Sequence, residues 1–325
     1  MQAKVLGLGN ALVDILVRIP NDNFLKELNI LKGAMNLVDE QRSAEIFESV
    51  KSLNPQIVSG GSAANTICGL ANLGVNAGFI GMTGTDDLGS KYADDLRQNG
   101  VVPLLRTSAT PTGSCISLIT PDSERSMCTC LGAAVEMEST DIEDSAFDGF
   151  THLYVEGYLV QNPKLIEGAL SAAHAKGLKV MLDLASYNVV EDNQEFMQRI
   201  ISRYVDVVFA NEEEATAFTG KEDDEALNEI GEIAECVVLK QGRRGSLVKM
   251  GNEHTKVGIV AANAIDTTGA GDLYAAGFIW AMLNGLSPKQ CATAGAITSG
   301  NVIEVIGSKM DTSRWTAIRQ SLKDL

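Results

Sequence analysis

Positive charge is scarce in this chain: 26 Lys and Arg face 42 Asp and Glu, a formal net charge of −16. A protein that binds a phosphate backbone shows a basic patch or stripe, so nucleic acid is not an expected partner. A small anionic ligand stays open, because one local positive site can sit in an acidic protein. Long apolar runs are missing as well. None approaches the roughly 20 residues that span a bilayer, and Val5-Leu6-Gly7-Leu8-Gly9 is too short for the core of a signal peptide. No membrane is expected, and the expected compartment is the cytoplasm. Cysteines lack the grouping of a metal site. Cys68, Cys115, Cys128, Cys130, Cys236 and Cys291 are scattered through apolar surroundings, and the C-x-C at Cys128 has neither a second pair nor nearby histidines. Buried thiols in a reducing compartment are the expectation. Histidine is rarer still, and His152, His174 and His254 lie away from every motif below.

What is present is ordinary for a soluble globular chain: 45% hydrophobic and 21% charged residues. A length of 325 residues accommodates one large domain or a domain with an insertion, and no internal repeat or linker divides it. Short apolar runs alternate with amphipathic ones, the pattern of a mostly parallel α/β sheet. Strands are predicted at 5–8, 79–82, 153–155, 179–183, 205–210, 237–240 and 246–250, and strand-like character at 257–265. Helices are predicted at 39–53, with Ala44, Ile46, Phe47 and Val50 inward, then from Gly60 through Leu73, and at 87–99, 163–176, 195–204 and 212–218. Three more follow at 273–283, 288–306 and 313–322. Residues 101–131 break the rhythm with antiparallel-looking strands and turns at Pro111 and Pro121-Asp122. Together with 15–38 they suggest a small β-rich lid. The expected division is a core of 1–14, 39–103 and 131–325 and a lid of 15–38 and 104–130.

Two common phosphate signatures fail. Gly7-Leu8-Gly9 starts a dinucleotide fingerprint, but Leu12 stands where its third glycine is needed. Gly84 to Lys91 has Ser and Lys in the wrong order for a P-loop. Asp266-Thr267-Thr268-Gly269-Ala270-Gly271-Asp272 is different, because an apolar helical run follows it. Glycines let a ligand approach the backbone, the first N–H groups of the helix favour an anion, and an acid there can take a proton from a hydroxyl.

This stretch resembles the C-terminal signature of the ribokinase-like (PfkB-type) carbohydrate and nucleoside kinases. Four further stretches resemble that family's motifs in the same order: Gly9-Asn10-Ala11-Leu12-Val13-Asp14, Gly60-Gly61-Ser62-Ala63-Ala64-Asn65, Asn211-Glu212-Glu213-Glu214 and Gln241-Gly242-Arg243-Arg244-Gly245. The resemblance implies a three-layer α/β/α sandwich with a mostly parallel central sheet and a small β-rich lid. It implies Asp272 as general base and the N–H groups of Gly269, Ala270 and Gly271 as anion hole. Substrate falls to Asn10, Leu12, Asp14, Gly60, Gly61 and Ser62, with Asn65 and Tyr158 beside them. ATP falls to Lys240, Gly242, Gly245, Thr267 and Asn211. Mg²⁺ is implied near Asn211 and Glu214, held through water, although the same i, i+3 spacing also makes a helix N-cap with a capping-box acid. A monovalent cation, K⁺ in many relatives, is implied near Asp266 and Thr268. Arg125, between the lid strands, is a candidate to swing over the phosphates.

Within the family the chain resembles the adenosine kinases, through the helical segment after Pro20, Pro111-Thr112-Gly113-Ser114-Cys115, and Asn211 through Phe218. The implied reaction is ATP-dependent phosphorylation of the 5′-hydroxyl of a nucleoside, adenosine first. Leu12, Met35, Leu37 and Tyr158 are candidates to face the purine. Three positions depart from that branch. Asp183 stands where its eukaryotic members favour Asn, Glu156 where a small apolar residue is expected, and Ala296 where relatives place His or Asn beside the ATP base. Glu156 could reach extra sugar hydroxyls, so a carbohydrate kinase for ribose or fructose is the first alternative. A non-catalytic ligand-binding protein is the second. Both monomer and homodimer stay open.

Overall fold

The computed structural model describes residues 3–122 and 124–325, and the statements below concern these residues. The first half of the chain carries strands β1 (Lys4–Leu8), β2 (Leu12–Arg18), β3 (Met35–Leu37), β4 (Gln56–Ser59), β5 (Asn76–Gly84), β6 (Val101–Ser108), β7 (Thr112–Ile119) and β8 (Arg125–Gly132). Its helices are α1 (Asn23–Glu27), α2 (Glu40–Val50), α3 (Ser62–Asn72) and α4 (Asp87–Gln98). The second half adds β9 (His152–Glu156), β10 (Lys179–Asp183), β11 (Val207–Asn211), β12 (Cys236–Lys240), β13 (Ser246–Met250) and β14 (Glu253–Val257). With them come α5 (Pro163–Ala175), α6 (Tyr187–Tyr204), α7 (Glu212–Thr219), α8 (Asp223–Ile230), α9 (Ala270–Leu283), α10 (Pro288–Val302) and α11 (Thr312–Lys323).

Nine strands form one sheet in the order β14-β13-β12-β11-β10-β9-β1-β5-β6, parallel from β12 to β6 with β13 and β14 antiparallel at one edge. The central strands are apolar throughout because both faces are covered. On β9, Leu153 and Val155 meet α5 and α6, while Tyr154 points through the sheet towards α3 and α9. Helices α5 to α8 cover the first face and α3, α4, α9, α10 and α11 the second, which makes the expected three-layer sandwich.

A second sheet, in the order β3-β8-β7-β2-β4, forms the small lid. Its outer side has its own core, where Ile15, Val17, Ile116 and Leu118 pack under Ile46 and Val50 of α2. Sheet membership moves the expected boundaries. β6 pairs in parallel with β5 in the large sheet, whereas β4 and α2, expected in the core, belong with the lid. On α2 the inward small residue is Ser43, and Ala44 is exposed.

Other local expectations also change. β14 ends at Val257, and 258–265 is irregular, with Ile259, Val260 and Ile265 partly exposed. Strand β14 is the sheet edge, so this apolar stretch has no ladder to join. Helix α6 starts at Tyr187 and bends at Asn193, whose φ of −131° leaves the helical range. All six cysteines are free and buried. No helix is long and apolar enough to cross a membrane.

Candidate active site

Helices α3 and α9 start side by side at the carboxyl edge of the large sheet, and glycines permit both starts. At Gly61, φ is 90° and a Cβ would lie 2.6 Å from the Asn10 carbonyl oxygen. At Gly60 a Cβ would lie 2.2 Å from the Asp14 carboxylate, so the lid strand β2 delivers Asp14 into space that only glycine leaves. Gly269 precedes α9 at φ 74°, packed against Ser308.

The two helix starts share the carboxylate of Asp272. Its Oδ1 accepts from Ser62 Oγ at 2.8 Å and its Oδ2 from Asn65 Nδ2 at 2.9 Å. Ser62 and Asn65 are i, i+3 neighbours on one face of α3, which is why they can grip one group. Asn65 is held in turn by Ser308 Oγ, which donates to its Oδ1 at 2.8 Å. Burial raises the Asp272 pKa above its usual range, and the bonds from Asn65 and Ser62 pull against that. An acid that is oriented, buried and a stronger base than usual suits proton abstraction.

Asp14 is 8% exposed and lifted to about 6, by burial against the pull of the Arg125 charge. No described residue donates a hydrogen bond to its side chain, so its oxygens face the cavity with their capacity unspent. Glu156 is the opposite case. Its Oε1 accepts from both the backbone N and Nδ2 of Asn10, its Oε2 from the Ala63 backbone N, each at 2.9 Å. Burial lifts its pKa to about 7 against those bonds. The carboxylate thus brackets Asn10 to the first turn of α3.

On the far side, Asn211 caps α7. Its Oδ1 accepts from the Glu214 backbone N at 2.8 Å, while the Glu214 carboxylate accepts from Asn211 N at 2.8 Å and Nδ2 at 2.7 Å. The capping box is therefore real, and it occupies the cavity wall. Burial raises Glu214 to about 7, with the Lys240 charge opposing. No cluster of three or more His, Cys, Asp or Glu is arranged to cage a metal among the described residues. The donor set fits an ion held through its waters and by ligand phosphates, the usual habit of Mg²⁺. Asp266 is fully buried, and its carboxylate accepts from Thr268 N at 2.9 Å, Thr268 Oγ1 at 2.7 Å and Gly307 N at 2.8 Å. It ties the loop behind the α9 start to the 307 turn.

One cavity of about 570 Å³ joins these parts. Asn10, Leu12, Asp14, Gly61, Ser62, Asn65 and Tyr158 line it, and so do Asn211, Glu214, Lys240, Gly242, Gly245 and Thr267. Gly269, Ala270, Gly271 and Asp272 belong to the same lining, with Asp272 bonded to Ser62 and Asn65 and Gly271 close to the Lys240 ammonium. Gly60, Asp266 and Thr268 are not in that lining, and Asp266 and Thr268 are buried. Met35, Leu37 and Arg125 also reach the cavity, as does Ser299 in place of Ala296.

Some lining residues escaped the sequence reading. Met127, Thr129 and Leu131 alternate with Ser126, Cys128 and Cys130 along β8, so one set faces the cavity and the other is buried. That period of two was legible in the sequence. Asp183, which departs from the adenosine kinase pattern, takes the Lys240 ammonium on its Oδ2 at 2.7 Å. No spacing rule links residues this far apart.

Residues 30–314 match the family model described as pfkB family carbohydrate kinase. Among solved structures, the fold is similar to an adenosine kinase from Sinorhizobium meliloti, with 37% identity, a TM-score of 0.92, and coverage of 99% of this chain and 100% of that one. It is equally similar to a probable sugar kinase from Rhizobium etli CFN 42, with 34% identity, a TM-score of 0.92 and 98% of each chain covered. In sequence it is 29% identical to a 5-dehydro-2-deoxygluconokinase of Geobacillus thermodenitrificans, over 75% of this chain and 78% of that protein.

Proposed function

We propose, from the premise that this chain belongs to the pfkB family of carbohydrate kinases, that it phosphorylates the 5′-hydroxyl of adenosine with Mg-ATP. The observation that carries the choice of acceptor is that the lid sheet brings both an acid and an apolar wall into the cavity. Asp14, with its unspent oxygens, offers a grip on a ribose diol, and Asn10 and Asn65 stand beside it. Leu12, Met35, Leu37, Met127 and Leu131 reach the cavity from the same lid sheet that carries Asp14, and with Tyr158 they give it an apolar wall. A purine needs such a wall, and stacking of a base is worth about 1–3 kcal/mol in nucleic-acid-binding proteins. A free pentose has no use for it.

With the ribose held there, its 5′-oxygen faces Asp272, which takes the proton as that oxygen attacks the γ-phosphorus. Base catalysis of this kind is worth about 10²–10⁴-fold. The N–H groups of Gly269, Ala270 and Gly271 receive the transferring phosphoryl group, and most of the acceleration comes from this positioning and charge stabilisation. ATP lies along Thr267, Gly242 and Gly245, and Mg²⁺ on its phosphates offsets their charge, with Asn211 and Glu214 ordering its waters. A monovalent cation behind the anion hole belongs to the same reading, on the carbonyls of the loop that Asp266 ties down.

A carbohydrate kinase is the second reading, and the sugar-kinase relatives favour it. Against it stands Glu156, the acid that could have served extra sugar hydroxyls. Three protein donors already occupy its carboxylate. The test is turnover with adenosine, other nucleosides, ribose and fructose under Mg-ATP. Adenosine is expected to give the highest kcat/KM; a sugar in first place overturns the nucleoside reading.

A further inference from the structure

Two positively charged side chains line the cavity, and they are held very differently. Arg125 sits on lid strand β8 without an ion pair to any described residue. Lys240 ends β12 of the large sheet, with its side chain 15% exposed and that of its partner Asp183 6% exposed. A Cβ on Gly271 would lie 3.2 Å from the Lys240 Nζ, so the ammonium stands against the first turn of α9. Asp272 and Glu214 are near enough to act on its charge. Burial pulls that charge down, but Asp183 and Glu214 more than reverse the effect, and the amine stays protonated.

Asp183 is itself braced. Its Oδ1 accepts from the Ala185 backbone N at 3.1 Å. Ala185 adopts φ 72°, which a non-glycine residue holds only where its surroundings enforce it. The Tyr158 hydroxyl donates to the Ala185 carbonyl at 3.2 Å. An ammonium has three N–H donors. Asp183 takes one, and no other described residue takes the remaining two.

We propose that Lys240 is a catalytic residue whose two free N–H groups meet the oxygens of the phosphoryl group during transfer. Asp183, steadied by Ala185 and Tyr158, is the positioning residue that keeps them there. This rests on the kinase reading of the site and is indifferent to which acceptor is used. In the step, the acceptor oxygen bonds to the γ-phosphorus as the bond from that phosphorus to the β–γ bridging oxygen breaks. The proton goes to Asp272 and the electron pair leaves on ADP. Charge moves within the phosphates during this step, and a cation already fixed in place stabilises the new distribution without reorganising. A loosely held lysine would favour bound ATP and the transition state alike, and so lower KM without raising kcat.

The competing view is a structural ion pair, and kinetics separates the two. Lys240→Met is expected to lower kcat about 10²-fold or more, with KM for ATP within several-fold of the wild type. Asp183→Asn is expected to lower kcat about tenfold. Both should weaken binding of MgADP–aluminium fluoride plus acceptor in proportion to kcat, and leave binding of a non-hydrolysable ATP analogue nearly unchanged. A Lys240→Met/Asp183→Asn double variant leaves neither charge buried alone, so it keeps the test available if the single variant fails to fold. It should be as slow as Lys240→Met. A kcat within threefold of wild type in the single or double variant overturns the proposal, and so does a loss confined to KM for ATP. The acceptor is whichever of adenosine or ribose the wild type turns over. Failure of the nucleoside reading therefore shows in the wild type alone and leaves this test intact.

Discussion

Replacing Asp272 by Asn separates catalysis from architecture, because the site can absorb the amide. The change puts an NH₂ where one carboxylate oxygen was. If it faces Ser62, that hydroxyl turns from donor to acceptor, and the amide oxygen still takes the N–H of Asn65, now 2.9 Å from Oδ2. The proposed ribose contacts at Asp14 and Asn10 are untouched, so adenosine affinity should stay within several-fold. Turnover should fall about 10²–10⁴-fold, or about 3–5 kcal/mol in the barrier. Stability should move the other way. Burial raises the folded-state pKa of Asp272 above its ordinary 3.8, so the native state binds the proton more tightly than the unfolded chain. Its stabilising contribution is then fully present below 3.8 and is lost as pH rises through the raised value. At pH 8 the wild type bears the cost of that buried charge and the variant does not. The variant should be at least as stable at pH 8, with the difference shrinking as the pH is lowered towards 4. A coupled assay of ADP release and urea unfolding at several pH values read both effects. Turnover within tenfold of the wild type refutes Asp272 as the base, and a variant clearly less stable at pH 8 refutes the account of its burial.

Two other perturbations address the acceptor. Tyr158→Ala with Leu12→Ala removes part of the apolar wall and should lower kcat/KM about 5- to 150-fold for adenosine, the equivalent of about 1–3 kcal/mol of stacking, while ribose changes far less; equal losses would count against a purine on that wall. Asp14 must be ionised to accept two hydroxyls, and with its pKa raised to about 6 the productive form prevails above that value and is lost as pH falls through it. The kcat/KM profile should therefore drop on the acid side near pH 6, and Asp14→Asn should flatten that limb as well as lower the plateau; a limb that survives the substitution belongs to another group.

Much of this was legible in the sequence where local chemistry dictates local shape. Gly269 and Gly271 around an acid at a helix start, and Gly60-Gly61 before another, announced the two turns that meet at Asp272. The alternation of apolar strands and amphipathic helices announced the large sheet, since buried parallel strands leave no other pattern. Where apolar content and pairing partners part company, the reading failed. Residues 258–265 are apolar but leave an edge strand, and α8 is a short acidic helix, Asp223–Ile230, with little periodic signal. Residues 56–59 fell within the expected core because sequence position says nothing about which sheet a strand joins, and β4 pairs with lid strand β2. The same limit hid the Lys240–Asp183 pair, made by strand ends 57 residues apart. The N-x-x-E spacing at Asn211 was open between capping box and ion site, and the hydrogen bonds show the box in place beside the cavity.

The most direct measurement is the ratio of kcat/KM for adenosine to that for ribose, with Mg-ATP as donor and the purified wild-type protein. An apolar wall that holds a purine above the Asp14 grip predicts a ratio well above ten, with AMP as the product. A ratio below one, with ribose or another free sugar turned over efficiently, would contradict it.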